Sequence, residues 1–213
     1  MTFRISGDPY AKKAKGYDAC VEPLVRQLRV MGMKMHPCDE GMSVLDIGCG
    51  TGTHLEIYHK AGCKVVGIDA SSSMLEVARS KLTGRAELHL GDASHMPFPH
   101  ESFDLVLAMF ILHEIPVSIR SLVINEAKRV TKKSGRFLVI DYHPGPFRFP
   151  EGWLFKMVIL FMEISVGRVH FRNYRNFMAN GGLRPLIGEN VLAIDRERIV
   201  GGGTIGLYLL RPD

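Results

Sequence analysis

The sequence predicts an α/β fold: a doubly wound seven-stranded sheet, mostly parallel, that closes with an antiparallel C-terminal hairpin strand. Three observations carry the prediction. Val44, Leu45 and Ile47 form a short apolar run that Gly48, Gly50 and Gly52 cut off, the pattern of a buried strand entering a glycine turn. Short apolar runs then alternate with helical periodicity as far as Asp141, which builds strand–helix–strand units and a parallel sheet. Two more strand-like segments, Leu186 to Asp195 and Thr204 to Arg211, are joined by a turn placed near Arg196-Glu197; strands so closely connected pair antiparallel.

Bulk properties narrow the possibilities. A chain of 213 residues is expected to form one domain over 1–213, with 1–40 as an N-terminal helical cover and 146–182 as a helical insert. A net charge of +5 suits an acidic ligand or an anionic surface without forming a nucleic-acid stripe. The four cysteines, Cys20, Cys38, Cys49 and Cys63, contain no C-x-x-C pair. That opposes structural zinc and disulfides and points to a reducing, cytoplasmic setting. Residues 1–6 show no secretory signal pattern. The longest apolar run, Trp153 to Val166, is about 14 residues and is broken by Lys156 and Glu163, too short to span a bilayer.

Residues 8 to 35 read as a half-exposed helix, with Lys12, Lys13 and Lys15 in water and Tyr17, Val21, Leu24, Val25 and Leu28 on its apolar side. Pro23 predicts a break near Glu22. This helix is expected to cover the ligand site, with Tyr10 and Tyr17 as the residues that close over it or simply pack it down. After strand one and its glycine loop, Thr53 to Lys60 forms a helix capped by Gly62. Free backbone N–H groups at such a strand–loop–helix junction make a nucleotide-type site. Lys64 to Asp69 is strand two. Asp69, 17 residues beyond Gly52, stands where a carboxylate accepts from ribose hydroxyls, or caps the helix that Ser71 or Ser72 begins.

Ala86 to Leu90 is strand three and leads into Gly91-Asp92-Ala93. Asp92 at a strand end can accept from an adenine amine while Ala93 N–H donates to a ring nitrogen, or Asp92 can simply make a turn. Phe103 to Met109 is strand four, followed by Phe110 and His113. Pro116 to Val130 is an amphipathic helix. Arg120, Lys128, Arg129, Lys132, Lys133 and Arg136 around its end read as a solvated basic face. Ser134-Gly135 turns the chain into strand five, Arg136 to Asp141, and Tyr142 and His143 end it. Trp153 to Val166 and then Phe171, Tyr174, Phe177 and Met178 are apolar helical stripes with Arg168, Arg172 and Arg175 interleaved, stopped by Gly181-Gly182. Aromatics alternating with arginines can stack bases, but an amphipathic helix with an aromatic core face is the expected reading. Gly201-Gly202-Gly203 reads as a bulge or loop.

The pattern D-x-G-x-G-x-G, Asp46 to Gly52, resembles motif I of the class I S-adenosylmethionine-dependent methyltransferases, which have a Rossmann-like sheet. The run Asp69-Ala70-Ser71-x-x-Met74-Leu75-x-x-Ala78, the Gly91-Asp92-Ala93 segment with Met96-Pro97-Phe98, and the Lys132 to Asp141 strand entry resemble the same family. Ser134 stands where that entry carries proline. The resemblance covers residues 41 to 211 and is strongest to the small-molecule branch with the ubiquinone/menaquinone and phospholipid methyltransferases. It implies S-adenosylmethionine as cofactor, held by Asp46, Gly48, Gly50, Gly52, Asp69, Ala70, Met74, Asp92, Ala93, Phe110 and Tyr17. It places His113 and His143 near the emerging methyl group as candidate bases, requires no metal, and gives the helical insert the choice of acceptor. So apolar an insert suits a lipid- or quinone-like acceptor, or peripheral contact with a membrane.

The base-gripping motif that nucleic-acid amino methyltransferases carry after strand four is absent, so neither DNA nor RNA is an expected partner. Two other classes stay open: a non-catalytic protein that binds the cofactor or its product, and a nicotinamide oxidoreductase. The early third glycine and the closing hairpin oppose the latter.

Overall fold

The computed structural model describes residues 8, 10, 11 and 13–212; the reading of residues 1–6 and the solvated Lys12 lie outside them. The elements run in the order α1 (Ala14–Met35), β1 (Ser43–Ile47), α2 (Thr53–Lys60), β2 (Lys64–Asp69), α3 (Ser72–Leu82), β3 (Glu87–Leu90), β4 (Phe103–Met109), α4 (Val117–Val130) and β5 (Thr131–Tyr142). They continue with α5 (Glu151–Val166), α6 (Arg168–Ala179), α7 (Leu183–Glu189), β6 (Leu192–Val200), a short 3-10 turn (Gly201–Gly203) and β7 (Ile205–Pro212).

The seven strands order as β3-β2-β1-β4-β5-β7-β6. All pairs are parallel except that β7 runs antiparallel to β5 and β6. Alternation along the strands sorts the core into two layers. Leu45, Ile47, Val106, Ala108, Phe137 and Val139 pack with residues of α4, α5, α6 and α7. Val44, Leu105, Leu107, Leu138 and Ile140 pack with α1, α2 and α3. Because β1 leads to β2 on one side and lies against β4 on the other, the strand order reverses between β1 and β4. A crevice outside the carboxyl ends of the strands is expected at such a point.

Pro23 does not break α1, which runs through it. The carbonyl it deprives of a donor belongs to the exposed Ala19, where water substitutes, and the half beyond it is held by burial of Val25, Leu28, Gly32 and Met35. A Cβ on Gly32 would lie 2.9 Å from Leu138 Cδ2, so glycine lets the helix close on β5. The second half of α1 is therefore part of the core layer, not only a cover.

The C-terminal hairpin also departs from expectation. Leu186 belongs to α7, and Arg196-Glu197 sit inside β6. A run of charges looks like a turn, but β6 is the edge strand and almost wholly exposed, where charge blocks further pairing. The turn is the glycine triplet, at φ of 59°, 62° and 100°. A Cβ on Gly202 would lie 2.4 Å from Gly152 N, and one on Gly203 2.2 Å from Pro146 O. The triplet is where the segment before α5 crosses the sheet end. Ser134-Gly135, expected as a turn, lies within β5, whose register against β4 shifts between Phe103 and Leu105.

Arg120 is not part of a solvated face. It is 1% exposed. Nε donates to Leu112 O at 2.9 Å and Ile115 O at 3.2 Å, Nη1 to Asn176 Oδ1 at 3.0 Å, and Nη2 to Asn173 O at 2.9 Å. The guanidinium fork thus ties the loop after β4 to α6. Its cationic neighbours are also committed: Lys132 Nζ is 2.9 Å from Asp104, and Arg129 pairs with Glu126 at 2.7 Å, while Lys133 stays in water. Replacing Arg120 with Met leaves these acceptors buried without a donor, at a cost of about 2–4 kcal/mol. Urea unfolding should show the lowered midpoint, and an unchanged midpoint would refute the tie.

Candidate active site

The glycine loop after β1 divides its labour. Gly48, Gly50 and Gly52 all have positive φ, at 69°, 54° and 76°. A Cβ at Gly48 would meet Ile111 Cγ2 at 2.4 Å and one at Gly52 would meet Leu82 Cδ1 at 2.8 Å, whereas nothing lies within 4 Å of one at Gly50. Two glycines thus permit packing and the middle one faces open space. Gly48 N and Cys49 N both donate to Ile68 O, at 2.8 and 3.2 Å, which fixes the loop to β2.

Asp69 at the end of β2 accepts from Gly50 N and from Ser71 N, both at 2.8 Å. Burial raises its carboxyl pKa. Ser71 is the N-cap of α3, accepting from Met74 N, and Asp8 accepts from Ser71 Oγ and Ser73 N. Ala70 is exposed beside Asp69, and Met74 is buried beneath the cap. Asp92 Oδ1 accepts from both Ser94 N and Ser94 Oγ at 2.8 Å, a local turn, with Ala93 half-buried next to it. Asp46 is buried within β1, and desolvation pushes its carboxyl up to about 7 against the pull of Arg29.

The start of α1 is latched across this loop. Asp18 accepts from Thr51 Oγ1 and pairs with Lys81, each at 2.5 Å. Tyr17 meets Tyr10 edge-on at 6.1 Å, and Tyr10 OH donates to Glu114 Oε1 at 2.9 Å.

On the other side of the crevice, Phe110 leaves β4 with φ of 58°, a conformation that costs a non-glycine residue about 1–3 kcal/mol. Its ring lies 5.1 Å from that of Tyr142 and 6.3 Å from that of His113. His113 is buried. Its Nδ1 lies 2.7 Å from Asp141 Oδ1 and its Nε2 3.6 Å from Glu163 Oε1. Burial opposes the imidazolium, but Asp141 and Glu163 outweigh it and hold the ring well above the usual imidazole range. Glu163 also accepts from Tyr142 OH at 2.9 Å and pairs with His170 at 2.7 Å. Desolvation raises the pKa of Glu114.

His143 stands apart. Its Nδ1 faces Gly203 O at 3.0 Å and Gly145 N at 3.2 Å, and its main chain donates to Thr204 O. These contacts join β5 to the glycine triplet and include none of the groups around His113.

Sequence reasoning missed Asp18, Glu114, Asp141, Glu163 and His170. Their partners are distant in the chain, and only the acidic end of strand five gave a local signal. The expectation of no metal now meets a specific arrangement: ligand atoms of His113, Glu114 and His170 all lie within 4.8 Å of one another. Beside this cluster a groove of about 780 Å³ runs between Pro144, Phe147, Lys156, Phe171, Tyr174 and the arginines of α6. Tyr174 is shared: its ring is 6.2 Å from that of His113.

Residues 45–139 match the family described as methyltransferase domain. A demethylmenaquinone methyltransferase of Renibacterium salmoninarum is 40% identical over 111 residues, 51% of this chain and 46% of that protein. A phosphatidylethanolamine N-methyltransferase of Cereibacter sphaeroides is 37% identical over 113 residues, 50% of this chain and 54% of the relative. The chain thus spans about half the length of these two relatives. An uncharacterized methyltransferase of Synechocystis is 28% identical over 194 residues, 90% of this chain and 84% of that one. Among solved structures, a SAM-dependent methyltransferase from Aquifex aeolicus superposes with a TM-score of 0.67 at 22% identity, covering 97% of this chain and 100% of its own; this likeness shows the fold. Sheet order, glycine loop and sequence matches agree: residues 45–139 match a methyltransferase domain, and the sheet has the order of a SAM-dependent methyltransferase fold.

Proposed function

We propose that this protein transfers the methyl group of S-adenosylmethionine to a small amphipathic acceptor, lipid- or quinone-like, that it meets at a membrane surface in the cytoplasm. The observation that carries the cofactor is the open space above Gly50 beside Asp69. The residues present fit it. Each Asp69 oxygen accepts one backbone hydrogen bond here and has a lone pair left for a ribose hydroxyl. In this reading the backbone of Gly48, Gly50 and Gly52 with Asp46 holds the amino-acid end. Ala70 and Met74 flank the nucleoside, Asp92 and Ala93 take the adenine, and Tyr17 and Phe110 close the two sides.

The cofactor supplies a methyl already electrophilic on its sulfonium. The chain's own residues then have to position the acceptor, worth on the order of 7–11 kcal/mol, and exclude water, a task assigned to Tyr10 and Tyr17. We assign His113 to the acceptor, since Asp141 fixes its ring and Phe110 and Tyr142 surround it. We assign His143 to holding the loop it is bonded to. The four cysteines are free, which supports a reducing compartment.

The acceptor class rests on the helical insert. Only Gly152, Ile159 and Glu163 of α5 are buried. Phe161 is 77% exposed, and Trp153, Leu154, Met157 and Ile164 are exposed beside it. Arg168, Arg172 and Arg175 line the adjoining groove, and no carboxylate pairs with them among the described residues. An apolar helix face bordered by cations matches an anionic lipid surface. No helix among the described residues is long and apolar enough to cross a membrane. The two named relatives, a demethylmenaquinone and a phosphatidylethanolamine methyltransferase, support an acceptor of this kind.

Transfer of labelled methyl from S-adenosylmethionine into a lipid extract tests the reaction, and a protein that binds the cofactor without any transfer would defeat it. Cofactor at about 100 times its dissociation constant adds about 2.7 kcal/mol, a thermal midpoint rise of roughly 5–11 °C at this length. NAD should give none. Gly50→Ala puts a methyl into the open space and should abolish most of that rise; an undiminished rise would remove the cradle from the site.

Vesicle sedimentation checks the surface. The protein should bind phosphatidylglycerol vesicles and not phosphatidylcholine ones, and Phe161→Ser should weaken binding by roughly tenfold or more. Equal binding to both lipids, or to neither, would count against it.

Asp46 gives a pH prediction for the ligand-free protein. Its unfolded carboxyl ionises near about 3.9, whereas its folded carboxyl stays protonated up to about 7. The unfolded state therefore gains ionisation first, and the folded state loses stability as pH rises from 4 to 7. Asp46→Asn removes that loss. It should be more stable than the parent by roughly 4 kcal/mol at pH 8, with the advantage almost gone at pH 4. A difference independent of pH would show that Asp46 is not protonated by burial.

A further inference from the structure

We propose that His113, Glu114 and His170 form a site for one divalent ion of the zinc class, at the end of the crevice where the acceptor is placed. The inference goes beyond methyl transfer and is tested without the cofactor.

The donors come from two directions. His113 and Glu114 lie on the turn after β4, and His170 on the first turn of α6. All three ligand atoms fall within 4.8 Å of one another. Tetrahedral bonds of about 2.0–2.1 Å set donors about 3.4 Å apart, so small side-chain rotations close the set. The turn and the helix are already fixed to each other. Arg120 bonds Leu112 O and Ile115 O on one side and Asn173 O on the other, and Asn173 Nδ2 donates to Glu114 O at 2.6 Å. A metal site needs such rigid support.

Next to the donors stands what metal-binding histidines usually have. Asp141 occupies Nδ1 of His113 at 2.7 Å, which leaves Nε2 to face the site; a carboxylate behind a histidine is the common outer partner of a metal ligand. Tyr10 OH is bonded to Glu114 Oε1, leaving the second oxygen. Glu163 is 4% exposed, and no well-directed hydrogen bond reaches its Oε2, which lies 2.7 Å from His170 Nε2. Three carboxylates, Glu114, Asp141 and Glu163, thus gather around two imidazoles, with Tyr142 and Tyr174 against the ring of His113. Two imidazoles and one carboxylate suit zinc, or iron and manganese among its neighbours, and leave a coordination position for the oxygen or nitrogen of an acceptor.

The test begins with protein stripped by chelator, dialysed against Zn²⁺ and assayed for bound metal. One zinc per chain is expected. Glu114→Gln and His170→Ala should each weaken binding at least tenfold, and Asp141→Asn by about 10–100-fold. Joint replacement of Cys38 and Cys63 by Ser, which removes two thiols that meet at the amino ends of β1 and β2, should leave it unchanged. Circular dichroism verifies that each variant folds. The Co²⁺-substituted parent supplies a reading that needs no variant: bands of a nitrogen–oxygen site with no thiolate charge transfer. Failure to retain zinc, wild-type affinity in His170→Ala, or a thiolate band would each overturn the proposal. Loss of methyl transfer with zinc still bound would overturn the proposed function and leave the metal site standing.

Discussion

Asp141, at the end of β5, has no exposed surface, and four donors converge on its carboxylate: Leu112 N and His113 N on Oδ2, His113 Nδ1 and Tyr142 N on Oδ1. A buried carboxylate is tolerated only when its lone pairs are used, and here they are used to shape the turn after β4. That turn carries Phe110, His113 and Glu114, and Ile111 fills the space that the absent Cβ of Gly48 leaves. From the opposite side Arg120 takes the carbonyls of the same turn. One anion and one cation, both buried, thus set the geometry of the crevice around His113.

The side of the crevice at the glycine loop is held more loosely. The first turns of α1 reach the glycine loop through Asp18, Thr51 and Lys81, and reach Glu114 through Tyr10. The Asp18–Lys81 pair among them is partly exposed, and such pairs are worth little individually. The second half of the same helix is anchored by apolar burial against β5. A helix fixed at one end and latched at the other can open locally without disturbing the core.

The insert α5–α6 joins two environments. Tyr174 and Phe177 of α6 face the core, and Tyr174 touches both Tyr142 and the groove. Most of α5 faces outward with large apolar side chains. A stretch that looked like one apolar helix is anchored by a few residues and leaves the rest exposed.

The sequence by itself determined the alternation of strands and helices through β5, the glycine loop and the place of Asp69 and Asp92 at strand ends. Each of these depends on periodicity, backbone freedom or spacing within a few dozen residues, and those are local properties. Tertiary structure decided the rest. Pro23 was absorbed because the carbonyl it strands faces water and the helix beyond it is buried. Arg120 went inside because three backbone carbonyls and an amide oxygen gathered around it. The hairpin shifted because an edge strand tolerates charge and the glycine triplet was needed for a close crossing. His113 acquired Asp141, Glu163 and His170 as neighbours only when β4, β5, α5 and α6 were brought together, and no local pattern encodes a meeting of residues so far apart in the chain.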